Sequence, residues 1–102
     1  MIEITPVTGE RAEQIVLLAR EGGKDAGLAE MERVAEKFIL NALSYREEPV
    51  GELLIRACAS YAERRGAGII SARMPVSPLM IKAGFDGDVL DVTKVIRYHH
   101  HL

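Results

Sequence analysis

One cysteine, Cys58, is all that this chain of 102 residues contains, so no intrachain disulfide can staple it. No excess of basic residues is present either. The formal net charge is -2, and Lys and Arg are scattered among Asp and Glu without the basic stripe that a phosphate backbone requires, which excludes nucleic acid as the expected partner. No apolar run approaches the roughly 18 residues of a membrane span, and no leader pattern opens the chain. No membrane association is expected, and the default is a soluble cytoplasmic protein. Repeats, low-complexity tracts and interdomain linkers are also missing, which leaves one domain over 1–102.

What is there is ordinary globular material, with 48% apolar and 27% charged residues. A domain of this size buries roughly two-thirds of its unfolded surface. Its core is therefore modest, and a partner subunit covering an extra apolar face would supplement it.

Met1 to Val7 alternates Ile2, Ile4 and Val7 around Glu3 and Thr5 and reads as a short strand, limited by Pro6 to an edge or a strand end. Thr8 caps a predicted helix whose apolar positions Ala12, Ile15, Val16 and Ala19 follow the 3.6 period, with Gly22-Gly23 as its stop. Asp25 caps a second predicted helix with Leu28, Met31, Val34 or Ala35, Phe38 and Ala42 on one side. Its end is open, because 38–45 also reads as a buried strand. After Arg46-Glu47-Glu48-Pro49, a third helix runs from about Val50 to Arg65, with Leu53, Leu54, Ala57, Cys58, Tyr61 and Ala62 on its apolar face and Gly66 after it. A strand follows from Gly68 to Met74. Ser77 and Pro78 are the N-cap and first-turn pair of a short helix closed by Gly84. The β-branched run from Val89 to His99 predicts a final long strand.

This order gives an α+β fold, a small sheet of three or four strands covered by three helices, with the third helix crossing between 38–45 and 69–74. The edge from Val89 to His99 needs pairing or covering. A homodimer is the expectation.

Met1 to Val7 followed by Glu10 to Leu18 resembles the opening strand and helix of the GNAT-superfamily N-acetyltransferases. Helix 50–65, strand 69–74, Leu79 to the Gly84-Phe85 pair and a final strand resemble that family's closing half. Together these segments cover about two-thirds of the chain. Family members also carry strands before the third helix, and the helical reading leaves hardly any room for them between Gly23 and Arg46. The resemblance implies a compact acyl-CoA N-acyltransferase-like architecture with acetyl-CoA as co-substrate, its pyrophosphate held on backbone amides in a Q/R-x-x-G-x-G/A loop at a helix start. The matching positions are Arg46, Val50, Gly51 and Glu52. Pro49 lacks an amide donor, and Glu47, Glu48 and Glu52 bring negative charge, which suits a helix dipole better than a phosphate.

No residue takes a catalytic role by motif. The family's Glu base and Tyr acid find no counterpart: Met80 and Ile81 stand where a Tyr is sought, Tyr98 is too far along the chain, and Tyr45 and Tyr61 fit packing roles. His99 and His101 project to one side of a strand but have no Asp, Glu or Cys nearby to complete a metal site. Cys58 lies on an apolar helix face and reads as core. Asp86, Gly87, Asp88 and Asp91 read as a solvated turn, and Arg64, Arg65 and Arg73 suit a helix end or an anionic group. Two functions follow: an acyl-CoA-dependent N-acetyltransferase, or a non-catalytic α+β module in which two chains pair through the final strand or the second helix.

Overall fold

The computed structural model describes residues 1–8 and 13–95. Its elements are β1 (Ile2–Thr8), β2 (Gln14–Glu21), β3 (Lys24–Val34), β4 (Lys37–Tyr45), α1 (Glu48–Arg64), β5 (Ile69–Ala72), α2 (Pro78–Ala83), β6 (Phe85–Asp86) and β7 (Val89–Asp91). They form one sheet of seven strands in the order β1-β2-β3-β4-β5-β7-β6, in which every neighbouring pair is antiparallel except β4 and β5. The expected α+β class holds, but the expected sheet of three or four strands does not. Two helices and a helical turn at 92–95 accompany a much larger sheet.

The correction falls on the first half. Thr8, the expected helix cap, ends β1, 9–12 lie outside the described residues, and the rest of that expected helix is strand β2, because Ile15, Leu17 and Ala19 are buried at every second position and not every third or fourth. The run Ile15 to Ala19 satisfies both periods, and Gly22-Gly23 decides between them. Both glycines sit at positive φ, 60° and 82°, and close a two-residue hairpin turn of the kind that matches strand twist. The helix expected from Asp25 is the hairpin β3–β4, turning at Ala35 and Glu36. Nothing local announces that turn, since Ala35 enters positive φ (58°) without being Gly or Asn. Ala26, Ala29 and Met31 favour a helix intrinsically, but pairing with β2 on one side and β4 on the other overrides that propensity. Of the two readings of 38–45, the strand is the observed one.

The second half follows the sequence more closely. In α1, Pro49 occupies the first turn, where its missing amide costs nothing, and Val50, Leu54, Ile55, Cys58, Ala59 and Ala62 form the buried stripe. Ser77 caps α2 by accepting the Met80 N–H at 3.3 Å, and Gly84 closes it. The long final strand shortens to Val89–Asp91, because Asp91 starts a helical turn: its Oδ1 accepts the Thr93 N–H at 3.0 Å and the Thr93 hydroxyl at 2.6 Å. The Thr93 hydroxyl also holds the Asp91 carboxyl below its ordinary pKa. Tyr98 and the histidines at 99–101 lie outside the described residues.

Helix α1 packs across β2, β3 and β4, with α2 against it, and the core lies between these helices and the sheet. On the opposite face Leu18, Leu28 and Ile39 are only half-buried, while Glu30 and Ser44 are exposed. No described helix packs there.

Candidate functional site

The two halves of the sheet meet at a short parallel seam, where Phe38, Ile39 and Leu40 of β4 pair with Ile70, Ser71 and Ala72 of β5. One further bond, from the Arg73 N–H to the Leu40 carbonyl at 2.9 Å, ends it. Beyond this point β4 continues to Tyr45, but β5 has stopped and the chain turns toward α2. Residues 41–45 of β4 therefore present one edge without a strand partner among the described residues, and that edge leads directly to the N-terminus of α1.

At the branch point β4 carries a bulge. Met31 pairs with Leu40 and Glu30 with Ala42, so Asn41 is the extra residue. Its Nδ2 donates to Glu32 Oε1 at 3.2 Å, and the Arg73 guanidinium reaches across β4 to the same oxygen at 2.6 Å. Asn41 Oδ1 is shut off from solvent and accepts no hydrogen bond, an omission that costs about 1–3 kcal/mol. Strands β3 and β4 alternate core residues (Met31, Phe38, Leu40) with outward ones, so Glu32, Ile39 and Asn41 lie on the face that lacks helices.

The residues singled out before α1 are placed as follows. Arg46 is exposed, donates its backbone N–H to the Ala26 carbonyl at 3.0 Å, and borders a hollow of about 170 Å³ together with Lys24, Asp25 and Glu47. The Val50 side chain is buried, so only its backbone is available to a ligand. The N–H groups of Val50 and Gly51 already donate to the Glu47 carbonyl, at 3.0 and 3.3 Å. Gly51 is buried, and the Tyr45 ring fills the space a side chain would take, its carbons 2.9–3.0 Å from an ideal Cβ. Glu52 pairs with Lys82 of α2 at 3.4 Å. Of the four, Glu52 alone lines the groove between α1 and α2, a space of about 430 Å³ shared with Arg56, Lys82, Gly84, Lys94 and Val95. Three cations against one carboxylate give that groove an anion-attracting balance.

Sequence reading missed Glu32, Asn41, Arg56, Lys82 and Lys94. The signal for Asn41 was present, since it is the one polar residue inside the apolar run from Phe38 to Leu43. The cationic groove left no comparable signal, because its residues come from three separate segments.

Cys58 is buried within the core, and burial pushes its thiol up from its ordinary value to about 12. A thiol shifted this far carries about a thousandfold less thiolate, the reactive form, at any pH below 9. Native protein should therefore react with a thiol-specific disulfide reagent at pH 8 at least about a hundredfold more slowly than protein unfolded in urea. Equal rates would mean that Cys58 is exposed. Among the described residues no three His, Cys, Asp or Glu side chains converge on a metal position, and no helix is long and apolar enough to cross a membrane.

A seven-stranded sheet with one parallel seam, bridged by a helix and opening beyond it, is the fold seen in solved N-acetyltransferases, a putative acetyltransferase of the GNAT family among them. The ribosomal-protein-S18-alanine N-acetyltransferase of Escherichia coli superposes with a TM-score of 0.73 at 14% identity, over 84% of this chain and 78% of that one. The IAA acetyltransferase of Bacillus cereus gives 0.72 at 16%, over 84% and 77%. The PaiA N-acetyltransferase of Thermoplasma acidophilum, in complex with coenzyme A, gives 0.66 at 16%, over 78% of this chain and 61% of that one. No family model matches the sequence, and no curated protein sequence matches it. The strands for which the helical reading left no room, between Gly23 and Arg46, are β3 and β4.

Proposed function

We propose that this chain binds an acyl-CoA in the opening between β4 and β5 and transfers the acyl group to an amine. The parting of the seam at Leu40 and Ala72 is the observation that carries this reading. An extended, amide-bearing arm finds unpaired backbone groups along 41–45, as an added strand would. The phosphates then lie toward the start of α1 and the cations Arg56, Lys82 and Lys94. Arg46 and the backbone of Val50, Gly51 and Glu52 border the same end of the helix. Because Pro49 has no N–H and the amides of Val50 and Gly51 are engaged, side-chain cations carry more of the phosphate binding here than loop amides do. In the transfer, the amine nitrogen bonds to the thioester carbon as the carbon–sulfur bond breaks, and the proton leaving nitrogen ends on the CoA sulfur. The structural neighbours are acetyltransferases, which supports this chemistry without naming the acceptor.

Calorimetric titration with acetyl-CoA and with CoA tests the reading. Micromolar binding is expected, weakened about tenfold by Arg56→Glu, which turns a phosphate-facing cation into an anion. No heat at two well-separated temperatures overturns it. The second reading, a non-catalytic module pairing with a second copy, is favoured by Glu47, Glu48 and Pro49 at the start of α1 and by the half-buried Leu18, Leu28 and Ile39 on the open face. Its routes change with the structure: the second helix is β3–β4, and the final strand is described only over Val89–Asp91. A dimer by sedimentation together with absent acetyl-CoA binding would select it.

A further inference from the structure

We propose that the sheet face lacking helices is where two copies of this chain meet, related by a two-fold axis that crosses β2 and β3 at Leu18 and Leu28. The proposal holds whether or not the chain transfers an acyl group.

The middle of that face is apolar. Leu18 and Leu28 are cross-strand partners, Val16 stands two residues before Leu18 and pairs with Val7 of β1, and Ala42 of β4 lies opposite Glu30. Val16, Leu18, Leu28 and Ala42 are half-buried, and Val7 is 45% exposed. Aliphatic side chains that share one face across four strands and still touch water gain from being covered.

The charges around the patch name what covers it. A two-fold interface sets a surface against itself, so a charge needs one of opposite sign at its own image. Arg20 stands two residues beyond Leu18 on β2, and Glu30 two residues beyond Leu28 on β3. Because the strands are antiparallel, the two lie at opposite ends of the leucine pair. Both are exposed, about 14 Å apart along the strands, and they do not pair with each other. Arg20 holds Asp25 through Nε at 3.1 Å, and its two terminal nitrogens bond no described residue.

Sheets packed face to face turn their strands by about 30°, in the hand that sheet twist sets. With α1 joining β4 to β5 as a right-handed crossover, that turn carries Arg20 off β2 of the second copy and over its β3, where Glu30 of the partner subunit stands. The same operation brings the partner's Arg20 to Glu30, so both ion pairs form together. A strongly acidic or strongly basic partner would instead meet like charge, at Glu30 or at Arg20.

Sedimentation of the full chain at about 50 μM tests this, and a dimer is expected. Arg20→Glu and Glu30→Arg each place two like-charge pairs across the axis, and each should weaken association at least about tenfold. Both side chains are exposed, so far-ultraviolet circular dichroism should match the native chain in each variant. Mixed in equal amounts, the two variants oppose unlike charges at both contacts and should dimerise again, a recovery that no change within one chain produces. A native chain that sediments as a monomer overturns the proposal. So do single variants that associate as tightly as the native chain, or a mixture that associates no better than its components.

Discussion

Phe38→Ala is expected to lower the unfolding free energy by about 3–5 kcal/mol, a large share of the 5–15 kcal/mol that a domain of this kind has to lose. Phe38 has no exposed surface, and it stands where three elements meet. It pairs with Arg33 on β3 and with Ile70 across the seam, and its ring meets Tyr61 of α1 edge-on at 6.0 Å. The Arg33 guanidinium covers it from outside, 5.6 Å from the ring centre. Truncation therefore leaves a void that a strand on each side and a helix above cannot all move to fill. Urea unfolding followed by far-ultraviolet circular dichroism measures the loss, read as a drop in midpoint at unchanged slope. A loss under about 1 kcal/mol would show that the seam is not the centre of the core.

The second large effect is expected at Gly27, on β3 opposite Tyr45. A Cβ there would stand 2.5 Å from the Ser44 carbonyl oxygen and 3.1 Å from Tyr45 Cα, with Leu54 Cδ1 of α1 also at 3.1 Å. Two of those walls are backbone, so Gly27→Ala has to push β4 away from β3 or move α1. About 3 kcal/mol of destabilisation is expected, the upper end of ordinary overpacking. Gly51→Ala is the informative comparison. Its added methyl meets the Tyr45 ring, a side chain at the edge of the core that can turn aside, so about 1–2 kcal/mol should be lost. The same urea measurement on both variants checks the order. A larger loss at Gly51 would mean that the Tyr45 ring is held more rigidly than the β3–β4 backbone.

How far the fold could be read depended on where the deciding interactions lie. Helix α1 and the Ser77–Gly84 turn were legible, because cap, proline, apolar stripe and closing glycine are neighbours in sequence. Strands β2, β3 and β4 were not, because they are rich in Ala, Leu, Met and Glu and gain their form from one another across the sheet. Gly22-Gly23 fits a helix stop as well as a hairpin, and only the pairing of Glu21 with Lys24 separates the two. The site divides in the same way. Arg46 and Gly51 were found by motif, and Gly51 proves to accommodate Tyr45. The cluster of Glu32, Asn41 and Arg73 stayed hidden, since its members are 9 and 32 residues apart and meet only across strands.

The seam also orders the assembly of the molecule. Strands β1 to β4 form a meander whose every pairing joins consecutive strands, so closing it costs little loop entropy and can happen early. The pairing of β4 with β5 must wait until the whole of α1 has been laid back across the meander, and only three residue pairs then reward it. A chain built this way is expected to make its broad platform first and to dock the smaller half, with α2 and the β6–β7 hairpin, as a later event. The cleft proposed for the acyl donor opens from that same seam, so a ligand entering there works against three backbone pairs and not against the long pairings of the meander.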